Sequence, residues 1–273
     1  MEFLKTIILA AAQGVAEFLP VSSSGHLLVL GQWFGFDAEK NLTLNVVLHA
    51  GTLLAILVYY FNKILSILIY PRRRRLIGLV IAGSVPAAVV GFSLKLGDLD
   101  EKIFSSPWVA GVGFLFTGIM LITVFGKPWK KPDDEKSDAV VLEKMSFKQA
   151  VLIGCAQAFA ILPGVSRSGS TISCGVLTKL RKADAAEFSF LLAIPAIGGA
   201  ALLEFLEAVK NSGAICRGEI SAMSIGFMVA AVTGYVSLAG LIKVLQKGRL
   251  GWFSLYLFAA AAITLAVECV KYF

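Results

Sequence analysis

The chain has 273 residues, 57% of them hydrophobic and 16% charged, with a formal net charge of +7. Apolar runs long enough to cross a bilayer recur along it, which excludes a soluble domain of this length and describes a polytopic all-α integral membrane protein. The positive charge is then a topology signal: the basic residues sit beside apolar spans without the aromatic interleaving of a nucleic-acid surface, so membrane lipid is an expected partner and nucleic acid is not.

Residues 3–19 are apolar apart from Lys5, Thr6, Gln13 and Glu17. The start lacks the basic region of a signal peptide and the polar pair interrupts the run, so the N-terminus is expected to be retained. Gln13 and Glu17 stand four residues apart and share one face of a helix. Pro20 ends that helix, Val21-Ser22-Ser23-Ser24-Gly25-His26 follows, and residues 27–36 are too few to span. Two short pieces around a polar tip predict a re-entrant hairpin over 3–36; irregular backbone at membrane depth is tolerated only where protein or a wet cavity surrounds it. Spans are expected at 45–69, 76–96 (kinked at Pro86) and 108–126, and the mixed-charge segment 127–146 reads as a surface linker. The pattern then restarts with a second hairpin over 147–180 and spans at 186–207, 222–246 and 252–272.

The hairpins are related. At an offset of 144, Ala12, Gln13, Ala16, Val21, Ser22, Ser24 and Gly25 match Ala156, Gln157, Ala160, Val165, Ser166, Ser168 and Gly169. The chain therefore divides into repeat 1 (1–126) and repeat 2 (147–273), each a re-entrant helical hairpin plus three transmembrane helices. Lys63, the run Arg72-Arg73-Arg74-Arg75, the lysines of the linker, Lys179-Leu180-Arg181-Lys182 and the group Lys243, Lys247 and Arg249 should all be cytoplasmic. Three spans per half then require inverted-topology repeats with both termini outside, an arrangement that brings two broken elements together near the midplane.

Pro163-Gly164-Val165-Ser166-Arg167-Ser168-Gly169-Ser170-Thr171 places a guanidinium, four hydroxyls and two glycines between apolar runs. An Arg inside a membrane span costs about 2.5–3.5 kcal/mol on insertion scales, so it marks a function by default. Its planar fork matches phosphate oxygens, and glycines admit an anion close to backbone N–H groups. The stretch reads as an oxyanion cradle whose far end opens a helix at Thr171; the plain alternative is a polar turn. If the tips meet, Gln13, Glu17, Ser22, Ser23, Ser24 and His26 face Ser166, Arg167, Ser168, Gly169, Ser170 and Thr171. Arg167 would clamp a phosphate and Ser23 is the candidate attacking hydroxyl. His26 would take or return its proton. Glu17 would orient His26, act as the base itself, or hold a divalent metal cation. His49 reads as a structural hydrogen-bonding residue and Glu187 as a helix-dipole partner.

Gln13-x-x-x-Glu17 followed by Phe18-Leu19-Pro20-Val21-Ser22-Ser23-Ser24-Gly25-His26 resembles the first signature of the bacterial undecaprenyl diphosphate phosphatases, also called bacitracin-resistance proteins. The stretch 163–171 looks like the second, and Glu187-Phe188-Ser189-Phe190-Leu191-Leu192-Ala193-Ile194-Pro195 is similar to a further family stretch. The resemblance implies removal of the terminal phosphate of undecaprenyl diphosphate, which recycles the lipid carrier for cell-wall synthesis at the bacterial inner membrane. It places Glu17, Ser23, His26, Ser166, Arg167 and Thr171 on active-site positions, and it implies a divalent cation, Mg2+ or Ca2+. Gln13 stands where many members carry Glu, which weakens any two-carboxylate metal site. A homo-oligomer is compatible with it.

Two rivals bear on the same residues. A transporter or flippase of a phosphate-bearing lipid would share the inverted repeats, although transport needs no nucleophile and base. A type-2 phosphatidic acid phosphatase needs a second His downstream of its Arg; this chain has only His26 and His49, both upstream of Arg167.

Overall fold

The computed structural model describes residues 2–33, 42–96, 105–126, 139–211 and 217–272. Positions 34–36 of the first hairpin, linker residues 127–138 and the loops at 97–104 and 212–216 lie outside the described residues. Among the described residues are eleven α-helices and no named strand. Helices α1 (Glu2–Phe18) and α2 (Ser23–Trp33) form the first hairpin, followed by α3 (Leu42–Tyr59), α4 (Phe61–Ile69), α5 (Arg75–Leu96) and α6 (Pro107–Phe125). Helices α7 (Phe147–Phe159) and α8 (Arg167–Leu177) form the second hairpin, followed by α9 (Lys182–Asn211), α10 (Arg217–Gln246) and α11 (Phe253–Tyr272).

Arg75–Leu94, Pro107–Phe125, Lys182–Leu203, Ser221–Gln246 and Leu250–Lys271 are each long and apolar enough to cross a membrane, and Leu44–Tyr59 with Phe61–Ile69 makes a sixth span when the bent pair counts as one. These fall on the six expected spans, and the chain is a multi-pass helical membrane protein. The hairpin helices have 17, 11, 13 and 11 residues. At 1.5 Å per residue all fall short of the roughly 30 Å hydrocarbon core.

Three expectations gain detail. The span at 45–69 is not straight: it bends by 68° between Tyr59 and Phe61. The bend sets Tyr60 against Phe190, ring centroids 6.1 Å apart, and carries Lys63 Nζ to within 2.6 Å of Glu187 Oε1 on α9. A Lys near the end of a span is cheapest when paired, and Glu187 supplies that pair rather than serving the helix dipole alone. Second, Pro86, the expected kink residue, lies inside α5, which stays helical on both sides of it, as α9 does around Pro195. Third, the end of the linker belongs to the body of the protein. Leu142 and Met145 are fully buried, Val140 bridges to Leu180, and Arg75 donates to the carbonyls of Glu143 (2.9 Å) and Met145 (2.5 Å).

Once helices are in lipid, apolar burial between them gains little, and close approach of small residues holds them together. Helix α1 crosses α10 at Gly14, where an added Cβ would stand 2.0 Å from Thr233 Oγ1 and 2.7 Å from Ala230 O. Helix α7 crosses α5 at Gly154, where a Cβ would stand 2.1 Å from Gly83 O. Phe18, Phe114, Phe188 and Phe190 fill the interior. Val58, Ile81, Phe92, Val112, Val236 and Leu255 are exposed on the outside, where lipid tails suit them.

Candidate active site

Pro20 has no N–H, and the residue before a proline is pushed out of the helical region, so α1 stops at Phe18. Ser22 adopts a left-handed φ of 69° and its Oγ accepts from Gly25 N at 3.4 Å as α2 begins. In the second loop Gly164 has φ +83°, and a Cβ there would meet Ala110 O at 2.0 Å, so only glycine fits. Thr117 Oγ1 on α6 accepts from Ser166 N (3.0 Å) and lies 3.2 Å from Gly164 O, pinning the loop. Ser166 Oγ accepts from Gly169 N at 3.1 Å and caps α8. That cap opens α8 at Arg167, four residues before the expected Thr171, so the residues read as a loop form the first helical turn.

The two tips meet. A Cβ on Gly25 would stand 2.8 Å from Gly164 Cα, and Ser168 Oγ donates to Leu19 O at 3.2 Å. Glu17 lies at the junction, 9% exposed. Its Oε2 accepts from Ser23 Oγ (2.6 Å) and from Gln13 Nε2 (3.1 Å), and its Oε1 from Arg167 Nη2 (2.7 Å). Every partner is a donor, the environment of an ionised carboxylate. Arg167 Nη1 and Gln13 Oε1 are buried with no hydrogen-bond partner among the described residues. A buried guanidinium N–H without a partner among the described residues can receive an anion, since a buried donor left unsatisfied costs about 1–3 kcal/mol.

The remaining predicted residues divide by role. Ser22 and Ser24 hydroxyls lie 3.3 Å apart and Ser166 and Ser168 hydroxyls 3.2 Å apart, so these four build the two turns. Thr171 Oγ1 donates to Arg167 O (2.8 Å) and contacts Ser189 Oγ (2.5 Å), bracing α8 against α9. Ser170 Oγ is buried without a partner among the described residues. His26 bonds to Ser22 O through Nδ1 (2.7 Å) and to Tyr256 Oη through Nε2 (2.6 Å), whereas the hydrogen bond of Ser23 goes to Glu17. Of the roles open to Glu17, this geometry favours the base. His49 donates from Nδ1 to Asn45 O at 2.9 Å, a structural bond, and also lies within electrostatic reach of Glu17.

A divalent cation on Glu17 would have to displace Arg167 or Ser23 from its oxygens. Among the described residues no group of three His, Cys, Asp or Glu side chains could hold a metal ion. With a single carboxylate and Gln13 turned nitrogen-first toward it, the residues present do not fit a metal held by the protein itself.

Two apolar clefts flank the tips. The larger, of about 680 Å3, lies between the first hairpin and α11; Ala16, Leu19, His26, Arg249, Trp252 and Tyr256 are among its walls. The smaller, of about 330 Å3, runs between α6 and the second hairpin, against Trp108, Phe116, Phe159 and Pro163. Thr117 and Tyr256 escaped the sequence reading: each lies in an apolar span, and nothing local distinguishes it from a packing residue.

Residues 6–263 match the family described as Bacitracin resistance protein BacA. The chain is 42% identical over 267 residues to a protein of Rhodopirellula baltica named undecaprenyl-diphosphatase, covering 98% of each chain. It is 37% identical over 273 residues to one of Carboxydothermus hydrogenoformans, covering both in full, and 38% identical over 281 residues to one of Rubrobacter xylanophilus, covering 98% of each; both carry the same name. With its two signature stretches meeting around Glu17 and Arg167, the chain belongs to the bacitracin resistance protein BacA family.

Proposed function

We propose that the protein is an undecaprenyl-diphosphate phosphatase, hydrolysing the lipid diphosphate to undecaprenyl phosphate and inorganic phosphate and so returning the carrier to cell-wall synthesis. The observation that carries this reading is Arg167, which spends one nitrogen on Glu17 and keeps a buried Nη1, without a partner among the described residues, beside the Ser23–Glu17 pair. The terminal phosphate docks on Arg167, with the tail along the cleft that His26 lines. The Ser23 proton passes to Glu17 as Oγ bonds to the terminal phosphorus. The bridging P–O bond breaks and its electron pair leaves with the prenyl phosphate. Glu17 releases that proton to the leaving phosphate or solvent, takes one from the attacking water, and returns it to Ser23 Oγ as inorganic phosphate departs. Catalysis of this type rests on positioning and charge stabilisation, which Arg167 supplies. The Ser23–Glu17 bond is also what favours hydrolysis over transport alone. Purified protein in detergent, with no gradient, should release phosphate from a prenyl diphosphate. Absence of release by well-folded protein would overturn the reading.

We also infer that the molecule is two inverted repeats. Three observations support it. The cap and hydroxyl contacts of Ser22, Ser24 and Gly25 recur on Ser166, Ser168 and Gly169, 144 positions later. The helix pairings exchange in register: α1 packs on α10 as α7 packs on α5, and α3 on α10 as α9 on α5. Val15, Leu19 and Val21 in the larger cleft match Phe159, Pro163 and Val165 in the smaller at the same offset.

The basic starts of α5 and α9 converge on residues 140–145, and Gly251 beside Arg249 approaches Phe125 at the end of α6. Basic residues gathered at one end support a cytoplasmic face there, both termini outside, and a bacterial inner-membrane location. A tail lying against Arg249, Trp252 and Tyr256 points toward that end and turns its headgroup to the outer side. Single cysteines at Glu2 and Ser24, in a background lacking the native cysteines, should react with an impermeant thiol reagent on intact spheroplasts. Reaction only after the inner face is opened would reverse the orientation.

A further inference from the structure

Ser22 O can only accept, so the 2.7 Å contact puts a hydrogen on His26 Nδ1. In the neutral ring Nε2 is then the acceptor, and the hydroxyl of Tyr256, at 2.6 Å, is its donor. The two rings lie 9° from parallel with centroids 5.6 Å apart, and the Phe114 ring lies 4.9 Å from the imidazole, tilted by 58°. His26 is thus fixed from three directions: backbone, ring face and Nε2. Tyr256 arrives from α11, 230 positions away, and both residues line the larger cleft. In the proposed reaction the tail lies in that cleft and the terminal phosphate on Arg167, so the phosphate bearing the tail would pass the wall that His26 lines.

We propose that Tyr256 is a positioning residue for the reaction: through its hydroxyl it fixes the imidazole of His26 in the cleft wall that the tail-bearing phosphate, the group that leaves, would pass. This rests on the phosphatase reading. Its separate content is that a residue of the cleft wall acts through His26. Phe253 in the same wall is an aromatic ring without a polar group. Ring packing makes no use of the hydroxyl, whose partner is His26 Nε2.

The test compares Tyr256→Phe, Tyr256→Leu and His26→Gln, singly and combined, by steady-state phosphate release from a prenyl diphosphate in detergent. Size-exclusion profiles verify folding. Tyr256→Phe keeps the stacked ring and loses only the hydroxyl. Its kcat should fall roughly three- to tenfold, the scale of one hydrogen bond, with KM unchanged. In the His26→Gln background the same substitution should cost nothing more. Wild-type kcat in Tyr256→Phe with a loss in Tyr256→Leu would mean packing alone and overturn the proposal. So would an undiminished loss in the His26→Gln background. A wild-type protein that releases no phosphate overturns the functional reading and this proposal with it, an outcome distinct from the other two.

Discussion

Arg167→Ala is expected to lower kcat on a prenyl diphosphate by about 10³-fold or more, the scale on which a transition-state arginine acts. Nη2 of Arg167 holds Glu17 Oε1 at 2.7 Å and Nη1 is buried without a partner among the described residues, so one substitution removes both the carboxylate's counter-charge and the donor proposed to hold the phosphate. A second effect has to be separated from the first. Removing one member of a buried pair typically costs about 3–5 kcal/mol, because the other charge is stranded. Here Ser23 and Gln13 still donate to Glu17, which reduces that cost. Arg167→Ala combined with Glu17→Gln should therefore recover thermal stability in detergent without recovering turnover. Arg167→Lys should recover little activity, since a point charge cannot serve Glu17 and phosphate together as a planar fork does. Near-normal turnover of a folded Arg167→Ala protein would remove the clamp from the mechanism.

Glu17→Gln and Ser23→Ala should each lower kcat by about 10²–10⁴-fold, the usual contribution of positioned acid–base help. Glutamine keeps the shape of the side chain and loses the base, so the protein should remain folded. The two residues share a 2.6 Å hydrogen bond and, in the proposed reaction, handle one proton. The double variant should thus be no worse than the poorer single, because residues acting as a unit are not additive. Losses that multiply would mean separate roles. Rapid quench with labelled substrate should place phosphate on Ser23; a labelled wild type with an unlabelled Ser23→Ala identifies the nucleophile. Failure to trap any phosphoenzyme would shift the attack to a water held by Ser23. His26, bonded to Ser22 and Tyr256, is expected to act apart from this unit, which revises its sequence-based assignment as the proton partner of Ser23.

The chain's own pattern made the spans legible for a simple reason. Transfer of an apolar run into lipid is a local sum over about 20 residues, and a bilayer imposes one length on every span. The same arithmetic exposed the two hairpins, as pieces too short to cross. The bend at Tyr60 was not legible: residues 45–69 are apolar enough throughout, and only the partner of Lys63, on a helix more than 120 positions later, distinguishes a bent pair from a straight span. The opening of α8 at Arg167 was missed because a Gly–Ser-rich stretch favours turns locally. The cap on Ser166 becomes effective once Thr117 has pinned the loop from α6.

The site divides along the same line. Its candidates were named by the sequence alone, because Glu17, Arg167 and a run of serines inside apolar surroundings are too costly to be incidental. Its wiring was decided by tertiary structure alone. Ser23 and Arg167 occupy equivalent places at the 144-residue offset, yet one gives its hydrogen to Glu17 Oε2 and the other clamps Oε1. The position equivalent to Glu17 is Ile161, so the two halves contribute unlike groups to one centre. Which donor reaches which oxygen depends on how closely the tips approach. That distance is set by backbone contacts at Gly25 and Gly164, and by the glycine crossings that bring α1 and α7 inward. Hydropathy and periodicity register the free energy of moving a segment from water into lipid. The fit of one backbone against another a hundred residues away leaves no such local signature.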